Sequence, residues 1–272
     1  MQMASEQHQP EPDMSPSALY FNACRQLLEV VAGQRQKIEQ AAGWFAASIL
    51  AGRVVHVFGA GHSRIMVEEL WPRYGSFPGF HPIVELSLTF HNLVVGANGQ
   101  RQAMFLENVS GLAERVVRNF ALSREDSALV VSSSGCNTVP VEMAEQFRHH
   151  GIKVVGLLSQ RHSDVSKSNH PRGLKLGDIV DLVLDTGAPP GDAMVRVSGL
   201  DTPVSPGSTI GGCLVVNAIE AEVAQRLTAA GHPPPVLTAS CLVGPERSRE
   251  LFEAAYDEHA HRIAKLFATV GE

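Results

Sequence analysis

Long apolar runs are missing from this sequence. No stretch approaches the ~18 uninterrupted apolar residues of a membrane-spanning helix. Paired cysteines are missing too. Cys24, Cys136, Cys213 and Cys241 are widely scattered and no C-x-x-C occurs, which argues against a disulfide framework or a cysteine zinc site and for buried free thiols. Charge is sparse: 18% of residues are Asp, Glu, Lys or Arg, below the usual ~25%. There is no basic surplus either. Lys plus Arg number 22 against 28 Asp plus Glu, so no nucleic-acid footprint is expected at a net charge of −6. No His-Glu-x-x-His stands in the chain and no Gly-x-x-x-x-Gly-Lys-Ser/Thr, so neither a metal nor a cofactor is inferred. The first sixteen residues have neither the basic start nor the apolar segment of a signal peptide. The expectation is a soluble, cytoplasmic protein with no nucleic-acid or membrane partner.

What is present is enough for a sizeable core: 272 residues, 44% of them hydrophobic. Residues 1–15, with Pro10, Pro12 and the acids Glu6, Glu11 and Asp13, read as a disordered tail. One domain is expected over 16–270. Ser15 can cap and Pro16 suits a first helical position, and Leu19, Leu27, Val31, Ile38, Phe45 and Ile49 recur at helical steps as far as Leu50. Gly33 and Gly43 are candidate breaks. The period then changes. Residues 53–58, 127–131, 152–158 and 179–184 are short, nearly continuous apolar runs, the pattern of strands covered on both faces. A fifth strand is expected at 83–86. Helical patterns at 63–74, 109–121, 138–150 and 160–170 lie between them. This alternation predicts an α/β fold on a parallel sheet. A Gly/Pro-rich stretch, 187–207, precedes helices expected at 208–230 and 245–268.

In a parallel sheet, ligands bind at the carboxyl ends of the strands. Two loops leave predicted strands there. Gly59-Ala60-Gly61-His62-Ser63 follows the first and is not a dinucleotide fingerprint, since Arg64 stands where the third glycine belongs. Ser132-Ser133-Ser134-Gly135-Cys136-Asn137-Thr138 follows 127–131 and opens a helix. Its hydroxyls, its amide and the helix N-terminus make a cradle for an anion that contains no cation. A solvated serine turn is the plainer alternative. Glu68, Glu69 and Arg73 follow the first loop on helix 63–74. Glu107 and His91 come from the long 75–108 connection, and His62 sits within the first loop.

These residues resemble the SIS (sugar isomerase) domain family of phosphosugar-binding proteins. The likeness runs over about residues 20–260 and rests on Val57-Phe58-Gly59-Ala60-Gly61-His62-Ser63, on Val131 to Asn137, and on Pro206-Gly207-Ser208-Thr209-Ile210. A bacterial branch of single-domain SIS proteins is most similar, through Glu68-Glu69-Leu70, Ser134 to Glu142 and Gly191-Asp192-Ala193. The resemblance implies a three-layer αβα sandwich on a five-stranded parallel sheet, preceded by an N-terminal helix. It implies a homodimer or homotetramer with its active site at a subunit interface. It places an anionic sugar on the serine loop, with Ser132, Ser134 and Asn137 at the phosphate-binding positions; Gly59, Gly61, Ser63, Arg73, Ser133, Gly135 and Thr138 are the further candidate binding residues. Thr138 would substitute where the family's usual Ser or Thr is replaced by Asn137. Sedoheptulose 7-phosphate isomerase, one member, has a helix ending Glu-Glu-Leu-x-x-Arg-Tyr whose second Glu is the base. The match here is Glu69.

The expected reaction is therefore aldose–ketose interconversion through an enediol, with Glu69 or its neighbour Glu68 as base and His62, His91 or Glu107 as the second group. The alternatives are a non-catalytic phosphosugar sensor and, through the N-acetylmuramic acid 6-phosphate etherase branch, a lyase. A hydroxyl-lined loop suits a sulfonate as well as a phosphate. Helix 208–230 carries Ile210, Leu214, Val215, Val216, Ile219, Val223 and Leu227, more apolar surface than one stripe against a sheet requires. Light scattering at micromolar concentration should report a multiple of 29.2 kDa. A value of 29.2 kDa itself would remove the oligomer.

Overall fold

Ser15 and Pro16 start the first helix as their chemistry allows. Ser15 stays extended, its Oγ accepts from Ala18 N, and Pro16 takes a position where a missing N–H costs nothing. The computed structural model describes residues 14–89 and 100–267. His91 and the expected tail, apart from Met14 and Ser15, lie outside the described residues.

In chain order the elements are α1 (Pro16–Ala32), α2 (Arg35–Leu50), β1 (Val55–Gly59), a 3₁₀ turn (Gly61–Ser63), α3 (Arg64–Glu69), β2 (Phe80–Ile83), α4 (Leu86–Thr89), α5 (Gln100–Leu106), α6 (Leu112–Val117), β3 (Ser127–Val131), α7 (Thr138–His149), β4 (Lys153–Leu158), α8 (Gln160–Val165), α9 (Leu176–Ile179), β5 (Leu182–Asp185), β6 (Ala193–Val195), β7 (Val204–Pro206), α10 (Ser208–Ala229), α11 (Ser240–Val243) and α12 (Pro245–Phe267). Strands β1 to β5 form one parallel sheet in the order β2-β1-β3-β4-β5. Successive side chains of the strands feed opposite layers. Val55, Val57, Leu129, Val131, Val155 and Leu157 pack with α2, α3 and α10, and Phe58, Ala128, Val130, Val154 and Leu158 pack with α6, α7 and α9. This is the three-layer αβα sandwich. No described helix is long and apolar enough to cross a membrane.

Several boundaries differ from expectation. The N-terminal helical segment breaks at Gly33, whereas Gly43 sits inside α2. Residue 179 ends α9 rather than starting a strand, because Asp181 faces the sheet end, where its carboxylate accepts from Val154 N (2.9 Å) and pairs with Arg148 and Lys153. The second strand is 80–83, not 83–86; Glu85 instead accepts from Ser87 N (3.1 Å) beside the start of α4. The Gly/Pro-rich stretch contains the antiparallel pair β6–β7. Of the apolar α10 side chains, part of which were expected at a subunit contact, Val215, Val216, Ile219, Val223 and Leu227 are buried within the chain, and Ile210 and Leu214 are half-buried. The cysteines are free thiols, but only Cys136 is buried; Cys24 and Cys213 are half-buried and Cys241 is exposed.

A buried polar relay ties β1 to its neighbours. His56 and His81 are register partners whose Nδ1 atoms lie 2.9 Å apart; His56 Nε2 is 3.2 Å from Asp126 Oδ2, and Arg53 pairs with the same carboxylate at 2.8 Å. Burial, aided by His56 and His259, lowers the His81 pKa to about 3. Burial alone would raise Asp126, but hydrogen bonds from His56 and Arg53 outweigh it and hold the carboxyl at about 2. Both folded values lie below the unfolded ones. Their stabilisation is complete above the unfolded pKa, roughly 6.5 for His81 and 3.9 for Asp126, and is lost as pH falls through the folded values. Glu220 runs the other way: burial pushes it up to about 7, so its share is present below roughly 4.3 and lost as pH rises through 7. In a Glu220→Gln variant, which removes that opposing carboxyl, urea unfolding should show stability falling by up to about 5 kcal/mol from pH 7 to pH 3. A flat profile over that range would contradict the buried relay.

Candidate functional site

The strand order reverses between β1 and β3: the chain runs from β1 outward to the edge strand β2, then returns to the other side. Such a switch point leaves a crevice at the carboxyl ends of the two strands. Gly59 pairs with Val131, so the loops after β1 and β3 leave the sheet at the same level.

Each loop is shaped by a glycine. A Cβ on Gly59 would lie 2.6 Å from the carbonyl oxygen of Ser63, so only glycine lets the 3₁₀ turn fold back over the strand end. Gly135 has φ +64°, and its N–H donates to the Ser132 carbonyl (3.2 Å) while its own carbonyl accepts from Leu176 N (2.8 Å). Asn137 occupies the N-cap of α7 without capping it through its side chain. That side chain instead accepts from Asn169 Nδ2 (3.0 Å) and hydrogen-bonds the Glu107 carboxylate. The Glu107 carbonyl accepts from Val139 N (2.8 Å), which seats the end of α5 on the first turn of α7.

The result is a cleft of ≈ 490 Å³. Gly61, His62, Ser63, Ser132, Ser133, Ser134, Asn137 and Glu107 line it together with Gln100, His162, Asp192, Ser208 and Thr209. Among the described residues, no Lys or Arg lines it. Among the described residues its ionisable groups are two imidazoles, His62 and His162, and two carboxylates, Glu107 and Asp192. Burial raises the Glu107 pKa above the ordinary carboxylate value against the opposing bond from Asn137. His62 Nδ1 lies 2.9 Å from Gln100 Nε2. Asp192 is a non-glycine residue with φ +66°; its carboxylate accepts from Gly207 N, Ser208 N and Ser208 Oγ (3.0, 2.6 and 2.7 Å), closing the N-terminus of α10. Among the described residues, no three His, Cys, Asp or Glu side chains cluster as a metal site would require.

Some expected site residues are elsewhere. Thr138 is buried, its hydroxyl donates to the Asn169 carbonyl (3.1 Å), and it does not line the cleft. Glu68 is exposed and pairs with Arg64 (3.5 Å). Glu69 pairs with Arg73 (2.7 Å) and accepts from Asn217 Nδ2 (3.2 Å). Glu69 and Arg73 line a second cavity of ≈ 170 Å³ with Ser76 and Glu220. Six residues of helical rise, about 9 Å, carry Glu69 past the serine-loop cleft rather than into it. Within one chain the two therefore do not share a cavity. Gly59 and Gly135 shape the cleft from behind its wall.

The sequence reading missed His162 and did not assign Asp192 to the site. Both had a signal. Helix α8 begins directly after β4 at the same sheet edge as the two loops, which places its first turn beside them. Gly191-Asp192 is a pair suited to left-handed backbone.

The SIS domain matches residues 19–159. A UPF0309 protein of Listeria innocua is 31% identical over 248 residues, covering 91% of this chain and 97% of its own. A UPF0309 protein of Halalkalibacterium halodurans is 33% identical over 225 residues, covering 83% and 90%. Among solved structures, a phosphoheptose isomerase from Francisella tularensis matches with a TM-score of 0.48 at 17% identity, over 76% of this chain and 95% of that one. The Vibrio vulnificus NanR protein complexed with ManNAc-6P matches at 0.44 and 13% identity, over 88% and 69%. With the domain matched over half the chain and the relatives over most of it, this chain belongs to the SIS domain family, alongside the bacterial UPF0309 proteins.

Proposed function

We propose that the cleft binds a sugar carrying a phosphate or sulfonate group and interconverts its aldose and ketose forms, with Glu107 as the base. The observation that carries this reading is the union of an anion cradle and a half-buried carboxylate in one cleft. Ser132 and Ser134 supply hydroxyls, and α7 starts beneath them without a side-chain cap. That end of the cleft suits a tetrahedral oxyanion. Glu107 stands at the cleft with its pKa raised, which strengthens it as a proton acceptor once ionised. It would take the proton from the carbon beside the carbonyl and return it to the neighbouring carbon of the enediol. His62, in the same cleft, would supply and recover the proton on oxygen. The reaction has no net redox change and needs no cofactor. Membership of the SIS family supports a sugar as the ligand. The choice of Glu107 over Glu69 rests on placement, since Glu69 opens into the second cavity.

The test is a panel of phosphorylated and sulfonated hexoses incubated in D2O and followed by NMR. The wild-type protein should form the second isomer with solvent deuterium at the exchanged carbon. Ser132→Ala or Ser134→Ala should lose a hydrogen bond to a charged group, about 1.5–3 kcal/mol, or roughly 10- to 150-fold in affinity. Glu107→Gln should lower turnover by at least ~10²-fold with affinity nearly unchanged. Full turnover in Glu107→Gln with none in Glu69→Gln would move the base to the second cavity. Binding without exchange would make the protein a sensor, and loss of a substituent in place of isomerisation would make it a lyase.

A further inference from the structure

Among the described residues, two buried side-chain polar atoms have no hydrogen-bond partner: Ser133 Oγ and His162 Nδ1. Both residues line the serine-loop cleft. They are also bridged by one residue. Ser159 N donates to the Ser133 carbonyl (2.9 Å), and Ser159 Oγ accepts from His162 N (3.2 Å). The same hydroxyl donates to the Ala188 carbonyl (2.7 Å), which anchors the bridge. A buried polar atom left unpaired is costly, so each of the two calls for a partner. Two such atoms in one wall are complementary: a hydroxyl can donate and an unprotonated ring nitrogen can accept.

We propose that His162 is a ligand-binding residue of this cleft: the Ser133 hydroxyl, turned about its χ1, donates to His162 Nδ1, and the proton thereby fixed on Nε2 is donated to the anionic group of the sugar. The inference rests on the reading of the cleft as an anionic-sugar site. His162 is half-buried and lines the cleft while its Nδ1 is covered, so the ring edge carrying Nε2 is the one left to meet the ligand. With no Lys or Arg in the lining, a directed N–H complements the hydroxyls that an oxyanion would otherwise meet alone. Ser133 then acts as a positioning residue, setting the tautomer rather than touching the ligand.

Two side chains separate the two ring nitrogens experimentally. A Gln amide nitrogen reaches roughly the place of imidazole Nε2, and an Asn amide nitrogen that of Nδ1. The probes are inorganic sulfate, inorganic phosphate and glucose 6-phosphate, titrated calorimetrically into the full chain, with a thermal melt of each variant to verify folding. His162→Gln should bind within about 3-fold of wild type, while His162→Asn and His162→Ala should lose about 10-fold or more, the size of one hydrogen bond to a charged group. Side-chain ¹⁵N spectra of the ligand-free protein should show His162 protonated on Nε2, and Ser133→Ala should mix the tautomers. Equal affinity in the Asn, Ala and wild-type proteins, or a proton fixed on Nδ1, overturns the assignment. If wild type binds the probes and Ser132→Ala does not, while every His162 variant binds normally, this inference falls and the anionic-sugar reading stands. If wild type binds none of them, both fall.

Discussion

The parallel pairing of β1 with β3 is the constraint from which the site follows. It sets Gly59 opposite Val131 and releases two polar loops at one height, beside the strand-order reversal. The pairing in turn depends on burial of both sheet faces. Val57 and Leu129 face α2 and α10, and Phe58 and Val130 face α7. A polar group at any of these positions would lack a partner in a layer where such loss is expensive. The exceptions, His56 and His81, are paired with each other and, through His56, with Asp126, so the sheet carries ionisable groups without an orphan.

Above the sheet, close approach replaces bulk. Gly211 of α10 packs where a Cβ would lie 1.9 Å from the Thr186 carbonyl, and Gly212 where one would meet Met66 Sδ at 2.9 Å. These contacts bring the N-terminus of α10 down to the cleft, where Asp192 closes it and Ser208 and Thr209 join the lining. Three separate helix starts, those of α7, α8 and α10, thus converge on one opening.

The parts of this arrangement legible in the sequence were those governed by local pattern. The β3 and β4 runs show the continuous apolar character of doubly covered strands, and the serine loop announces itself by following one of them. Element ends were less legible, because capping is a tertiary matter: Ile179 and Val180 look like strand residues until Asp181 is seen bonded to Val154 N. Thr138 and Asn137 are adjacent in sequence, yet only the position of Asn169 decides which of them turns from the cleft. The placement of the candidate carboxylates was hidden for a related reason. Glu69 follows the first loop on a helix, but its direction depends on Arg73 and Asn217, whereas Glu107, remote in sequence, is carried in by the docking of α5 on α7. His162 was legible by the rule that found the two loops, applied to β4.

In the proposed function the anion of a sugar sits on residues 132–137 and its carbon chain lies toward Glu107. Amide chemical-shift mapping on deuterated protein, titrated with a phosphorylated or sulfonated hexose that binds, tests this most directly. The largest shifts should fall on the serine loop and the first turn of α7, with Glu107 and the 61–63 turn following at the same ligand concentration. Shifts confined to the cavity of Glu69, Arg73 and Glu220, with the serine loop unmoved, would contradict it.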